Sequence, residues 1–153
     1  MMVKRRRLQD DYCPSARSLD VIGDWWSLLI VRDAFDGLTR FGEFQKSLGI
    51  AKNILSDRLR TLTERGILKV VPSPDGGAHQ EYHLTPMGRD LFPVMVALRQ
   101  WGEQYLFKPG EKHSRLIERD TGQAIRLEIR TEDGRPIAPE ESVILKVPDL
   151  EQP

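Results

Sequence analysis

The side chains best suited to chemistry lie between residues 52 and 60. Lys52, Asn53, Ser56, Asp57 and Arg60 are interleaved with Leu55 and Leu59, and Leu62 follows. At helical spacing the three leucines fall at i, i+4 and i+7 and form one apolar seam, which leaves the polar residues on other faces. Lysine, asparagine, serine and arginine bond phosphate oxygens and base edges, and an aspartate can accept from the amino group of cytosine. The chemistry implied is recognition of a nucleic acid. A second reactive group is Cys13, which precedes Pro14 at the start of a helix. A thiol there faces backbone N–H groups and the positive end of the helix dipole, which favour the thiolate. Cys13 is therefore a candidate redox-sensing residue. The simpler reading is a small side chain packed in an interface.

Other chemistry is not expected. A single cysteine cannot make a disulfide within the chain or a cysteine-based zinc site. His79 and His83 lie four apart with no third ligand nearby, and His113 is remote, so no metal site is expected. There is no Ser-His-Asp set, phosphate loop or paired carboxylate motif, and Cys13 has no recognisable partner histidine. No catalytic residue, no cofactor and no enzyme activity are expected.

The polar set needs elements to hold it. With 153 residues, 39% hydrophobic and 30% charged, the chain has the size and composition of one soluble domain with room for a tail. No apolar run is long enough to span a membrane, and the basic start lacks the apolar stretch of a secretory signal, so a cytoplasmic location is expected. Formal net charge is zero, which argues mildly against nucleic acid. Residues 1–72, however, carry 13 basic against 9 acidic side chains, so a local basic face is allowed.

Residues 1–12, with Lys4-Arg5-Arg6-Arg7, read as a flexible basic arm. A helix opens at Pro14 and stops at Gly23. Asp24 can cap a second helix from Trp25 to about Phe35, apolar almost all round and expected to be buried, with Trp25 and Trp26 as core anchors. A short helix from Gly42 to Leu48 stops at Gly49, and the helix from Lys52 to Arg65 stops at Gly66. Two short helices joined by a glycine-containing turn form a helix-turn-helix. The period then changes. Residues 67–71 and 79–84 read as strands around the turn Ser73-Pro74-Asp75-Gly76-Gly77, a hairpin placed as a wing. Its turn residues Gly76 and Gly77, with His79, and Arg40 ahead of the first of the two helices, complete the candidate DNA-contacting set. Thr85-Pro86 opens a long helix running to about Leu106, which Pro93 should kink. Its stripe of Leu91, Val94, Met95, Leu98, Trp101 and Tyr105 exceeds what a small winged domain can cover. Packing against a second copy is the simplest solution, and packing on its own tail is the alternative. Past Lys108, residues 113–119, 124–130 and 142–147 read as a short β-meander, with a disordered end at 148–153.

The order of these elements resembles the HxlR-type family of bacterial winged-helix regulators, which are MarR-like. The resemblance rests on Cys13-Pro14, Leu19-Asp20-Val21-Ile22-Gly23-Asp24-Trp25-Trp26, Arg40-Phe41-Gly42-Glu43-Phe44, Leu55-Ser56-Asp57-Arg58-Leu59-Arg60-Thr61-Leu62, Gly66-Ile67-Leu68 and Tyr82-His83-Leu84-Thr85-Pro86-Met87-Gly88, and covers about residues 11–107. It implies a homodimeric repressor or activator that binds a double-stranded inverted-repeat operator. The dimer would use the first and last helices, including Leu19. Some family members sense oxidants or electrophiles through the cysteine matched here by Cys13. The chain departs from the family at Ala51, where a serine cap is frequent, at Asp57, and in the arginine-poor wing. The expected architecture is α+β: a winged helix-turn-helix domain over 13–107, ending in a long dimerisation helix, and a small β-rich extension over 108–153. Two alternatives remain at this point: a winged helix that binds proteins, and a regulator answering a small-molecule effector without a redox role.

Overall fold

The computed structural model of the chain describes residues 7–147. Residues 4–6 of the basic arm and the tail expected to be disordered at 148–153 lie outside that range. The element order is α1 (Pro14–Ile22), α2 (Trp25–Phe35), α3 (Phe41–Leu48), α4 (Lys52–Glu64), β1 (Leu68–Pro72), β2 (Gln80–Leu84), α5 (Pro86–Arg89) and α6 (Phe92–Tyr105), with a 3-10 turn at Pro139–Glu141. The chain divides into two compact units, one ending at Phe92 and the other starting at Pro93.

The first unit is a winged helix-turn-helix. Its core is built from Ile30 and Val31 of α2, Phe44 of α3 and the α4 seam Leu55, Leu59 and Leu62, all at 0% exposure. Ile50, Ile67 and Leu68 close it at the turn and at the root of the hairpin. The helix ends follow from local chemistry. Asp24 Oδ2 accepts from the Trp26 and Ser27 N–H groups at 3.1 and 3.0 Å and so caps α2. Glu43, in the first turn of α3, reaches back to accept from the Arg40 and Thr39 N–H groups at 2.9 and 3.2 Å. Gly49 then takes φ 61°, a left-handed conformation that a side chain would strain, and turns the chain toward α4. Antiparallel β1 and β2 run in register from Leu68↔Leu84 to Pro72↔Gln80. The carbonyl of Thr39 accepts from Tyr82 N–H at 2.7 Å, so the segment before α3 is tied to the other edge of β2.

Three expectations need correction. The first concerns α2, which is not buried all round. Trp25 is 78% exposed and Trp26 half-buried, while Ser27 and Asp33 are buried beside Ile30 and Val31. A helix apolar almost all round has no stripe to mark which side faces the core. The second concerns the long final helix, which is broken. Thr85 caps α5 by accepting from Gly88 N–H at 3.1 Å, Asp90 closes it, and α6 starts afresh at Phe92. Pro93 thus lies in the first turn of a helix, where its missing N–H has no partner to lose, and it starts α6 instead of kinking a longer one. Third, the strands of the meander reduce to two isolated bridges, Ile117↔Ala124 and Arg130↔Pro136, plus the 3-10 turn. The turns there are closed locally by side chains: Glu118 accepts from Thr121 N–H at 2.7 Å, and Thr131 Oγ1 bonds Asp133. Val96 is the one buried hydrophobic side chain among the described residues of the second unit. Extended segments there have no apolar layer to pair over.

Gly88 is where the wing meets α5. It is buried, and a Cβ added there would collide with the Ile67 carbonyl and lie 3.0 Å from Leu84 Cδ2. Gly88→Ala should therefore lower unfolding stability by about 1–3 kcal/mol, the usual range for overpacking. Urea denaturation checks this, with the midpoint falling while the slope stays constant.

Candidate nucleic-acid interface

Burial of the leucine seam turns the other side of α4 outward. Lys52, Asn53, Ser56 and Arg60 are exposed, and Asp57 is partly so. Asp57 is not a free negative charge, because Arg60 donates to its Oδ1 at 2.6 Å across one helical turn. At the start of the helix Ala51 offers no side-chain acceptor, so the N–H groups of the first turn have no cap. Two basic residues of the same helix serve the fold. Arg58 approaches Asp24 at 3.6 Å with its Nε buried, and Arg65 reaches Asp20 of α1 at 3.8 Å. Arg58 lies three residues after Leu55 and four before Leu62, beside the seam, whereas Arg60 lies on the far side.

The wing loop is folded on itself. Ser73 is buried, its N–H donates to the His79 carbonyl at 3.1 Å, and its hydroxyl donates to Asp75 Oδ1 at 2.7 Å. Gly77 N–H donates to the same carboxylate oxygen at 3.0 Å, and Gly76 N–H to the Ser73 carbonyl at 3.2 Å. The amides of Gly76 and Gly77, expected to touch a DNA backbone, are thus engaged inside the loop. His79 is exposed. Arg40, expected on a phosphate, bonds the wing rather than the α4 residues. One of its terminal nitrogens lies 3.1 Å from Asp75 Oδ2 and 3.2 Å from Ser73 Oγ, and its Nε lies 3.7 Å from Glu81. Glu81 in turn meets His83 Nε2 at 2.9 Å. Between α3 and β2 this leaves a groove of about 650 Å³ lined by Arg40, Phe41, Glu43, Lys46, His79 and Tyr82, among others.

The charge balance of the first half looks different once these pairs are counted. Arg32, Arg40, Arg58, Arg60 and Arg65 all face carboxylates. Lys46, Lys52 and Lys69 are exposed and form no ion pair among the described residues. Cys13 is exposed at the N-cap of α1, its N–H donating to Asp11 Oδ1 at 2.9 Å. Of the residues expected in a dimer interface, Leu19, Val94, Leu98, Trp101 and Tyr105 are exposed, and Leu91 and Met95 are half-buried. Among the described residues no cluster of three or more His, Cys, Asp or Glu could hold a metal ion, and no helix is long and apolar enough to cross a membrane.

Three mutually packed helices, α2, α3 and α4, a glycine turn and a two-stranded hairpin define a winged helix-turn-helix protein. The chain belongs to the HxlR-like helix-turn-helix family, whose pattern it matches over residues 21–109. It is 47% identical over 93 residues to an HTH-type transcriptional regulator of Mycobacterium tuberculosis, a match spanning 61% of this chain and 59% of that relative. The chain thus covers less than two thirds of the length of the mycobacterial relatives it matches. Among solved structures it is similar to PA1607, designated a candidate transcription factor, with a TM-score of 0.85 and 61% identity over 90% of this chain and 96% of that one. It is also similar to the redox regulator HypR in its oxidized form, with a TM-score of 0.53 and 35% identity over 60% of this chain and 96% of that one. None of these relatives is named as an enzyme.

The wing loop carries a titration signature. The Ser73 hydroxyl, then the Gly77 amide and the Arg40 guanidinium, hold the Asp75 carboxyl down at about 2. The folded value is depressed, so the loop gains from this carboxylate fully above the ordinary value of 3.8 and loses the gain as pH falls toward about 2. NMR titration of the Asp75 carboxyl should show a midpoint near 2 in the native chain. Ser73→Ala should move the midpoint up toward the ordinary range.

Proposed function

We propose that this chain is a DNA-binding transcriptional regulator that binds an inverted-repeat operator as a homodimer and acts as a repressor. The observation that carries the reading is the outward face of α4. Its Lys52, Asn53 and Ser56 are exposed on a helix whose opposite face is locked into the core. In this reading they meet base edges in a major groove, with Asp57 beside them, while Arg60 and the uncapped N–H groups after Ala51 meet phosphates. Lys46, Lys52 and Lys69 supply electrostatics that the neutral net charge conceals, and His79 on the wing lies against the backbone. Residues 13–107 form the DNA-binding and dimerisation part, and 108–153 an extension. Support for the dimer comes from α6. Val94, Leu98, Trp101 and Tyr105 recur at helical spacing and stay exposed, as does Leu19 on α1. Twofold symmetry would then present two α4 helices to half-sites about 34 Å apart.

A second reading concerns the input signal. Cys13 is exposed at the head of α1, and HypR, a redox regulator, shares this fold. Cys13 then acts as a thiol sensor. An oxidant such as diamide would take two electrons and two protons from the Cys13 thiols of two subunits, leaving a disulfide that alters half-site spacing. The sensing idea fails if a Cys13→Ser protein still releases operator DNA on diamide treatment as the native chain does.

Selection of bound DNA sequences followed by titration at several salt concentrations tests the main reading. Asn53→Ala should weaken operator binding by about 1–3 kcal/mol and relax base preference at one position per half-site. Arg60→Ala should flatten the dependence of log affinity on log salt by roughly 0.9 per lost phosphate contact in each complex arm. Equal binding of selected and random duplexes across all salt concentrations would overturn the assignment of α4 as the reading helix.

A further inference from the structure

The wing of this protein carries an acidic residue at its turn and no arginine, yet an arginine holds it. Arg40 lies outside the hairpin, at the N-cap of α3. Its guanidinium reaches the wing at three places: Asp75 Oδ2 in the turn, Ser73 Oγ at the end of β1, and Glu81 on β2. Ser73 and Glu81 are themselves buried. The backbone repeats the link one residue earlier, where Thr39 accepts from Tyr82 N–H. Arg40 is also fixed from its own side, because Glu43 accepts from its backbone N–H. A fork-shaped guanidinium suits this role, since it can meet several acceptors at once from a rigid plane.

We propose that Arg40 is a positioning residue, a clamp joining the helix-turn-helix to the wing, so that α3, α4 and the hairpin meet DNA as one preorganised surface. This rests on the regulator reading only for its consequence on DNA affinity. The clamp itself is a property of the free chain.

The rival assignment, a direct phosphate contact by Arg40, predicts different signs. If Arg40 bonds a phosphate, Arg40→Gln lowers the salt slope by about 0.9 in each complex arm. Under the same assignment Asp75→Asn strengthens binding, because it removes a negative charge near DNA and frees the arginine. If Arg40 is a clamp, both variants weaken binding, by about two- to fivefold as expected for exposed ion pairs. The salt slope then stays at the native value, and the double variant is no weaker than the worse single one, since both break one interaction. Asp75→Asn is the sharper variant. Its amide oxygen can still accept from Ser73 and Gly77, so the loop keeps its turn, while an NH2 donor replaces the Oδ2 acceptor and removes both the charge and the hydrogen bond facing Arg40.

The deciding measurement needs no DNA. Amide hydrogen exchange of the full chain should show Ser73, Gly77 and Tyr82 exchanging severalfold faster in Arg40→Gln and in Asp75→Asn, with α4 protection unchanged. Native exchange at those amides in both variants overturns the clamp, whatever the binding results. Faster exchange in a chain that binds no DNA would keep the clamp and remove the regulator reading. A lowered slope in Arg40→Gln with stronger binding by Asp75→Asn assigns Arg40 to phosphate instead.

Discussion

The interaction on which the rest depends is burial of Leu55, Leu59 and Leu62 against α2 and α3. Each fully buried leucine contributes about 1.5–3 kcal/mol, so three of them amount to a large part of a small domain's net stability. Their effect is also geometric. Consecutive residues on a helix point about 100° apart, so fixing the seam fixes the direction of every other side chain on α4. A roll by one residue would bury Ser56 and Arg60 and expose the leucines. The polar face is therefore held outward by the core and needs no contacts of its own. For the same reason the uncapped start at Ala51 is tolerated, although the free N–H groups of the first turn remain without side-chain acceptors.

The electrostatics follow a division of labour that net charge hides. Arginines in the first half are largely spent on carboxylates, some of them on contacts that hold elements together. Arg58, whose Nε is buried, ties α4 to the α2 cap and cannot leave without exposing that core edge. Arg60 differs. Its pair with Asp57 is exposed on both sides, and such pairs are worth about 0.2–1 kcal/mol. That energy is small beside a charge-assisted bond to an anion, so the pair is easily exchanged. Meanwhile it offsets the negative charge of Asp57. The exposed lysines and Arg17, which donates to a backbone carbonyl and faces no carboxylate among the described residues, carry remaining positive charge.

How much of this was legible in the sequence depended on the range over which each feature is determined. The helix-turn-helix was readable because its signals are local: leucine periodicity in α4, glycines at both helix ends, the turn residues between β1 and β2. The wing could be placed for the same reason. Trp25 was placed in the core because α2, apolar almost all round, has no stripe that says which side is buried. The last helix was read as continuous from Thr85 because its apolar stripe runs through Leu91, whereas the break falls at Asp90 and Leu91, ahead of the Pro93 expected to kink it. In the extension, alternating polar and apolar residues suggested strands, but strands need a neighbour and an apolar layer, and only the bridges at Ile117 and Arg130 found one. Candidate site residues on α4 were recoverable as a face. Their pairings were not.

The wing illustrates the limit most clearly. Its lack of arginine stood out as a departure from the family. That reading assumed that a loop's charge is the charge of its own residues. In the folded chain the compensating guanidinium comes from Arg40, 35 positions before Asp75, and no periodicity or motif links the two. The wing's amides at Gly76 and Gly77 are likewise satisfied within the loop. A hairpin whose polar groups are already paired contributes through shape. Its conformation is set before any association, which lowers the ordering cost of whatever contact it makes.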